Sequence, residues 1–136
     1  MRKFNILEHT SDLKIRVFGK SKEELFQNAL LGMLKVAKYQ KEAKGKIFKT
    51  KIKIRSIDIV SLLVNFLNEI LYLVETEKIV FEKIEFKKFS EQEIDATLSG
   101  KPLKRMGVHI KGVTYHGLEI KKNKEGMWQA EILFDI

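Results

Sequence analysis

Two acidic residues near opposite ends of the sequence could hold a metal ion. Asp12 closes a polar segment, residues 8–12 (EHTSD), and Asp135 follows an apolar residue near the end. Ile136 comes next and, as the last residue, would add an α-carboxylate. Neighbouring carboxylates repel each other unless a cation or a strong donor lies between them, and oxygen ligands favour hard cations such as Ca²⁺ or Mg²⁺. The sequence thus suggests a metal site, while a solvent-exposed chain end with a solvated Asp is the simpler alternative.

Other catalytic chemistry is indicated less strongly. His9, His109 and His116 lack the close spacing that zinc-binding pairs usually show, and the chain contains no Cys. Glu8, His9 and Asp12 suggest a general acid or base in a small metal-dependent hydrolase. They are accompanied by no recognisable nucleophile elbow and no glycine-rich phosphate loop. The hydrolase is therefore kept as an alternative only.

Length and charge narrow the class of protein. A chain of 136 residues predicts a single domain, residues 1–136. The net charge of +8 comes from 26 Lys and Arg residues, 22 of them Lys, against 18 acids. Such a basic surface suits binding to nucleic acid or to an acidic partner, or is simply solvated.

The most apolar stretch, residues 59–74, is interrupted by polar residues and is too short for a membrane span, and the start lacks a signal-peptide core. We expect a cytoplasmic protein without a membrane partner.

Two helices are predicted from apolar spacing and from capping residues. Ser21 and Glu24 have the spacing of a capping box, and apolar residues recur at three- and four-residue intervals from Leu25 to Ala37. A second helix is predicted from Asp58, as its N-cap, to Val74. Its wide apolar surface predicts that it is the more buried of the two helices.

The remaining segments alternate apolar and polar residues, which is typical of strands. The predicted strands span residues 13–17, 48–54, 80–89, 93–98, 108–115, 118–122 and 127–134. One face of the strand at 48–54 is covered with lysines, and residues 40–46 and 99–102 are predicted as loops. The pattern predicts an α+β fold: a single two-layer domain with two main helices packed on a mostly antiparallel sheet.

Two further segments are candidates for contact with a ligand or partner. Residues 100–111 are rich in basic side chains and suggest a loop that touches phosphates or an acidic partner. Residues 112–117 (GVTYHG) hold two glycines and a Tyr-His pair, which indicates either a close approach of chains or a site. A solvated loop and a buried Tyr-His pair are the respective alternatives.

Four segments of the chain resemble the archease family. Residues 8–12 with Gly19 and Lys20 resemble the opening of archease proteins, and residues 62–73 (LLVNFLNEILYL) resemble their central helix. Residues 111–119 (KGVTYHGLE) resemble their most distinctive segment, and residues 128–136 (WQAEILFDI) resemble their ending. The resemblance runs nearly end to end in the same order, which makes it specific.

The resemblance implies a function that composition alone does not. Archease is a protein cofactor, not an enzyme, that promotes guanylylation and repeated turnover of the RtcB-type RNA ligase in tRNA splicing. By resemblance, Asp12, Asp135 and Ile136 bind a divalent metal, described in the family as Ca²⁺, and Lys111 acts in ligase activation. The ligase is the implied partner, and tRNA is a second candidate partner.

Three residues depart from the family pattern. Ser11 and Gly112 stand where Ala is common, and Asn65 stands where an acid is common. The Asn65 change removes a surface charge that could serve docking, whereas the metal positions are intact. A basic RNA-binding or chaperone-like module without a ligase role is the main alternative function.

Overall fold

Two long helices and nine antiparallel strands make up the described part of the chain. The structure is a computed structural model and describes residues 2–8 and 12–136. The helices are α1 (Lys22–Ala37) and α2 (Ile59–Glu77). The strands are β1 (Phe4–Glu8), β2 (Asp12–Gly19), β3 (Gln40–Lys41), β4 (Phe48–Arg55), β5 (Ile79–Phe89), β6 (Glu93–Arg105), β7 (Gly112–Thr114), β8 (Lys121–Lys122) and β9 (Trp128–Asp135).

The strands form two antiparallel sheets, whereas the sequence pattern predicts one. The first sheet has the order β1-β2-β9-β7, with β8 also paired to β9. In the second sheet β6 is the central strand, and β3, β4 and β5 each pair with it. The α+β class, the two main helices and the antiparallel pairing are confirmed. Strand periodicity identifies which residues point inward, but it does not show which strands pair, and this is why two sheets were not foreseen.

Both helices begin at the capping residues that the sequence indicates. The Ser21 hydroxyl accepts a hydrogen bond from the Glu24 amide at 3.1 Å, and the Glu24 carboxylate accepts one from the Lys20 amide at 2.9 Å. The Asp58 carboxylate accepts from the Ser61 amide at 2.8 Å, and this bond holds the pKa of Asp58 below its usual range. The caps therefore satisfy amides that the first turn of each helix leaves without partners.

The hydrophobic core lies where the helices meet both sheets. Helix α1 packs against β2 and β9 of the first sheet and β5 of the second, and α2 packs against β4, β5 and β7. The buried side chains form one cluster, with Phe26 of α1 and Phe66 of α2 in ring contact at 5.5 Å between centroids. A core shared by both sheets fixes the position of each strand relative to the helices.

Helix α2 is long and apolar enough to cross a membrane, judged by length and composition alone. Its apolar side chains have another explanation, because eight of its residues are buried against α1, β4, β5 and β7. A core helix of this kind passes the same test as a membrane span, so the packing accounts for the composition of α2. The prediction that α2 is the more buried helix is wrong, because ten of the 16 residues of α1 are buried and only eight of the 19 residues of α2.

The turn predicted at residues 99–102 is instead the middle of β6. Gly100 pairs with Phe48 on one side and Phe81 on the other. A Cβ atom at Gly100 would lie only 1.9 Å from the Val80 carbonyl oxygen, so this glycine allows close approach of β5. The pattern was misread because a glycine that permits close strand packing and one that permits a turn look alike in a sequence.

Replacing Gly100 by Ala should destabilise the protein through this close contact. A clash with backbone atoms cannot be relieved by a side-chain rotation, so we expect Gly100→Ala to lower the free energy of unfolding by about 1–3 kcal/mol or more. Gly112→Ala is the matched control, since its Cβ would meet only the Asn68 Oδ1 at 3.4 Å. Urea unfolding followed by circular dichroism measures both, and equal stabilities for the two variants would contradict the packing described.

Candidate metal and activation site

Strand pairing places the two acidic residues directly opposite each other. In the register between β2 and β9, Asp12 is the partner of Asp135. Directly opposite residues of antiparallel strands point to the same face, with Cβ atoms roughly 4.5–5.5 Å apart. Residues 123 positions apart in sequence therefore form one carboxylate pair at the end of the first sheet.

Strand β7, which pairs with the other side of β9, follows directly after Lys111. Gly112 of β7 is the partner of Asp135 on its other side, and the Lys111 amide donates to the Asp135 carbonyl at 2.7 Å. The Lys111 side chain is exposed, and Ile136, which follows Asp135, is 40% exposed. The structure thus brings together all four residues that the sequence analysis named: Asp12, Asp135, Ile136 and Lys111.

The donor atoms at this end of the sheet fit a hard cation. The acidic pair offers carboxylate oxygens, and the backbone of Ile136 adds a further oxygen one residue away. Ca²⁺ and Mg²⁺ prefer such oxygen ligands and complete their shells with carbonyl oxygens and water. Among residues 2–8 and 12–136, no three His, Cys, Asp or Glu side chains cluster as a metal-ligand set. A cation here would therefore depend on two carboxylates with backbone oxygens and water, and not on a cage of side chains.

The next pairs along β2 and β9 form a separate network of ion pairs. The Glu131 carboxylate accepts hydrogen bonds from Arg16 Nε at 2.9 Å and Arg16 Nη2 at 2.6 Å, and Lys14 Nζ lies 3.1 Å away. These bonds, first from Arg16 and then from Lys14, hold the pKa of Glu131 below its usual range. The basic residues of β2 are thus held towards Glu131.

Two asparagines of α2 hold the segment that carries Lys111, a positioning role that the motifs in the sequence do not indicate. The Asn68 Oδ1 accepts from the Val113 amide at 2.9 Å, and the Asn65 Oδ1 accepts from the Tyr115 hydroxyl at 3.3 Å. They lie three residues apart and therefore share a helix face. Polar residues at this spacing in an otherwise apolar helix are a signal that could have revealed a polar contact.

The Tyr-His pair that follows β7 is on the surface. Tyr115 is 53% exposed, and His116 is exposed, with its amide bonded to Thr114 Oγ1 at 3.0 Å. The alternative of a buried Tyr-His pair is therefore wrong. Exposed aromatic and imidazole side chains beside Lys111 extend the polar surface at this end of the sheet.

In the part of the chain that the structure describes, no cluster of His, Cys, Asp and Glu side chains supports a zinc site. His109 Nδ1 lies 3.1 Å from a carboxylate oxygen of Glu75 in α2. This histidine therefore has a side-chain partner within the fold. The side chain of Glu8 and all of His9 lie outside the described residues, so the hydrolase alternative stays an untested prediction.

The basic segment at residues 100–111, predicted as a loop, is strand in its first half and outside any strand from residue 106 to Lys111. Its first half belongs to β6, where Lys101 Nζ donates to the Ala43 carbonyl at 3.1 Å. Lys104 and Arg105 are exposed at the end of β6, near the pairing of Arg105 with Gln40. Lys101 and Lys104 therefore lie on a strand, apart from Lys111, and the basic residues of the segment do not form one loop.

The fold and the site define a small α+β protein with a candidate oxygen-ligand cation site next to an exposed lysine. The model of the Archease protein family (MTH1598/TM1083) matches residues 4–136. This chain therefore belongs to the archease family.

Relatives named "Protein archease" match over nearly their full length. The chain is 36% identical to that of Methanosarcina mazei, with 99% of this chain and 97% of the relative covered. It is 32% identical to that of Pyrococcus furiosus, with both chains fully covered.

Solved structures show the same fold at lower identity. Protein 1598 of Methanobacterium thermoautotrophicum has a TM-score of 0.70 at 24% identity, with both chains fully covered. The Thermotoga maritima protein, titled an archease and possible chaperone, has a TM-score of 0.69 at 20% identity. The match covers 100% of this chain and 98% of that one, so the fold is shared along the whole length.

Removing the Asn68 side chain should release β7 from α2. The Val113 amide would lose its acceptor, and a part-buried unsatisfied amide costs about 1–3 kcal/mol. We expect Asn68→Ala to lower stability by roughly that amount and to speed hydrogen exchange at Val113. Asn65→Ala is the control, because Asn65 contacts the Tyr115 side chain and not the β7 backbone. If Val113 stays equally protected in both variants by NMR-detected exchange, Asn68 does not hold this strand.

Proposed function

We propose that this protein is a non-enzymatic activator of an RtcB-type RNA ligase in tRNA splicing. The observation that carries the proposal is the 2.7 Å hydrogen bond from the Lys111 amide to the Asp135 carbonyl. This bond joins the segment that contains Lys111 to strand β9. It supports a single functional surface built from residues that are distant in sequence. Membership of the archease family supplies the class of partner, and this role would be carried out in the cytoplasm.

In this proposal a divalent cation, Ca²⁺ in the first instance, binds Asp12, Asp135 and a backbone oxygen of Ile136. The opposed carboxylates repel each other across the strand pair, and a bound cation would convert that repulsion into attraction. The ion would thereby fasten the end of β9 to β2. Because the carboxylates must be ionised to bind it, affinity should fall on acidification.

Lys111 would act as the cation that this surface offers to the ligase. Its side chain is exposed, while its backbone is tied to the metal-binding strand. Lys is a flexible point charge and contacts phosphate without the bidentate geometry of Arg. The side chain could therefore approach the GTP phosphates in the ligase active site before guanylylation.

The contribution to catalysis would be one of positioning. Phosphoryl and nucleotidyl transfer depend on alignment and on neutralisation of phosphate charge. A lysine held on an ordered strand would help to arrange phosphates or metal ions in the ligase and would leave the chemistry to the ligase itself. This fits an activator that is needed for repeated turnover and is not consumed.

A ligation assay with and without this protein, at substoichiometric ligase and Ca²⁺ present, tests the proposal. We expect multiple turnover only when the protein is added, and we expect Lys111→Ala to reduce the stimulation by about tenfold or more. Asp12→Asn should give a similar loss, because the surface would no longer be fastened by the metal. Folding of both variants is checked by thermal unfolding, and the exposed substitution Lys111→Ala should change stability by about 0.5 kcal/mol or less.

Lys124→Ala is the matched control, because Lys124 is an exposed lysine in the turn between β8 and β9, on another part of the surface. It should stimulate fully. Full stimulation by Lys111→Ala and Asp12→Asn would contradict the mechanism. No stimulation by the unmodified protein, together with salt-dependent RNA binding or suppression of aggregation of a client protein, would favour the RNA-binding or chaperone-like module instead.

A further inference from the structure

A second surface of the molecule carries a row of positively charged side chains, most of them lysines. Alternate residues of β4 point away from the core, and on the same outer face of the second sheet β5 adds further lysines. We call this surface the lysine face. Its basic residues are Lys49, Lys51, Lys53 and Arg55 of β4 with Lys83, Lys87 and Lys88 of β5.

The acids on this face neutralise only part of its charge. Glu85, Glu93 and Asp95 share the surface, and Glu93 is already bound by Arg55 at 2.5 Å and by Lys88 at 2.6 Å. These two bonds, first from Lys88 and then from Arg55, hold the pKa of Glu93 below its usual range.

Three lysines of β4 stand in a regular row on this face. Within residues 2–8 and 12–136, no acidic side chain forms an ion pair with Lys49, Lys51 or Lys53. Alternate residues of a strand are about 6.8 Å apart along the backbone, so the three lysines are attached in a row with that repeat. Such a repeat is comparable to the spacing of successive phosphates along a nucleic-acid strand.

We propose that the lysine face binds the sugar-phosphate backbone of double-stranded RNA. The charge complementarity supports a polyanion, and the choice of RNA among polyanions rests on the proposed role beside an RNA ligase. Single-stranded RNA is usually bound by stacking its bases on aromatic side chains. Among the described residues of β4, β5 and β6, the aromatic rings belong to the opposite, core-facing side or to its margin. A face of lysines without stacking rings contacts phosphates and does not read bases.

The lysine face is continuous with the candidate site through a groove. The edge of β4 and helix α2 enclose about 450 Å³ between Lys53, Ile54 and Arg55 on one side and Asn65, Asn68 and Glu69 on the other. Asn68 is the residue that holds β7, next to Lys111. An RNA helix on the lysine face would therefore extend towards the surface proposed to meet the ligase.

Fluorescence anisotropy with a labelled RNA hairpin, in the absence of any ligase, tests this inference. The charge-removing variant is Lys49→Gln with Lys51→Gln and Lys53→Gln. We expect binding to weaken by about tenfold or more, and the slope of log affinity against log salt to become shallower by about 2.7, since each contact to a duplex phosphate contributes about 0.9. The unmodified protein should bind two hairpin stems of unrelated sequence equally well, and each more tightly than polyglutamate or single-stranded RNA.

Two further variants separate charge on this face from charge in general. Lys3→Gln with Lys20→Gln and Lys124→Gln removes the same charge from exposed lysines outside the second sheet and should leave binding nearly unchanged. Lys49→Arg with Lys51→Arg and Lys53→Arg keeps the charge and should retain binding, which would show that the strand tolerates substitution.

Equal weakening by the two triple Gln variants would overturn the proposal, as would tighter binding of polyglutamate or of single-stranded RNA. Since no ligase is present, loss of RNA binding in this assay is distinguishable from failure of the ligase proposal, which the ligation assay measures separately.

Discussion

The position of β9 between β2 and β7 is the constraint on which the candidate site depends. Ala130, Ile132 and Phe134 of β9 are buried, and they alternate with the outward-facing residues of that strand. A slip of one residue would turn Phe134 outward and Asp135 inward, which the loss of buried apolar area forbids. The hydrophobic core therefore sets the register that places Asp135 opposite Asp12. Packing and function are linked through a single strand.

The same constraint explains why α2 carries asparagines in its apolar sequence. Strand β7 has only three residues, and short pairing gives little stability by itself. The bond from the Val113 amide to Asn68 adds a second attachment, from the helix side. Lys111 thus precedes a short strand that is held by β9 on one side and by α2 on the other. A flexible side chain on an ordered backbone is well suited to contact phosphate groups in a partner.

Local features of the chain were predictable from the sequence, and the distant ones were not. Ser21 and Asp58 cap their helices as expected, because a cap depends on residues three positions apart. The division of the strands into two sheets was missed, since pairing is decided by contacts between remote segments. Gly100 was misread as part of a turn because its role depends on Val80 in a neighbouring strand. The resemblance named Asp12, Asp135 and Lys111, but only the strand register shows that they adjoin.

A Ca²⁺ titration followed by NMR of the backbone amides tests the central claim most directly. If the cation binds between the paired strand ends, the amides that shift should be those of Asp12, Lys111, Gly112, Asp135 and Ile136. The lysines of β4 lie on the other sheet, and their amides should stay in place. The shifts should vanish in Asp135→Asn, which keeps the size of the side chain and removes its charge. Shifts centred elsewhere, or the same shifts in Asp135→Asn, would contradict a metal site at this end of the sheet.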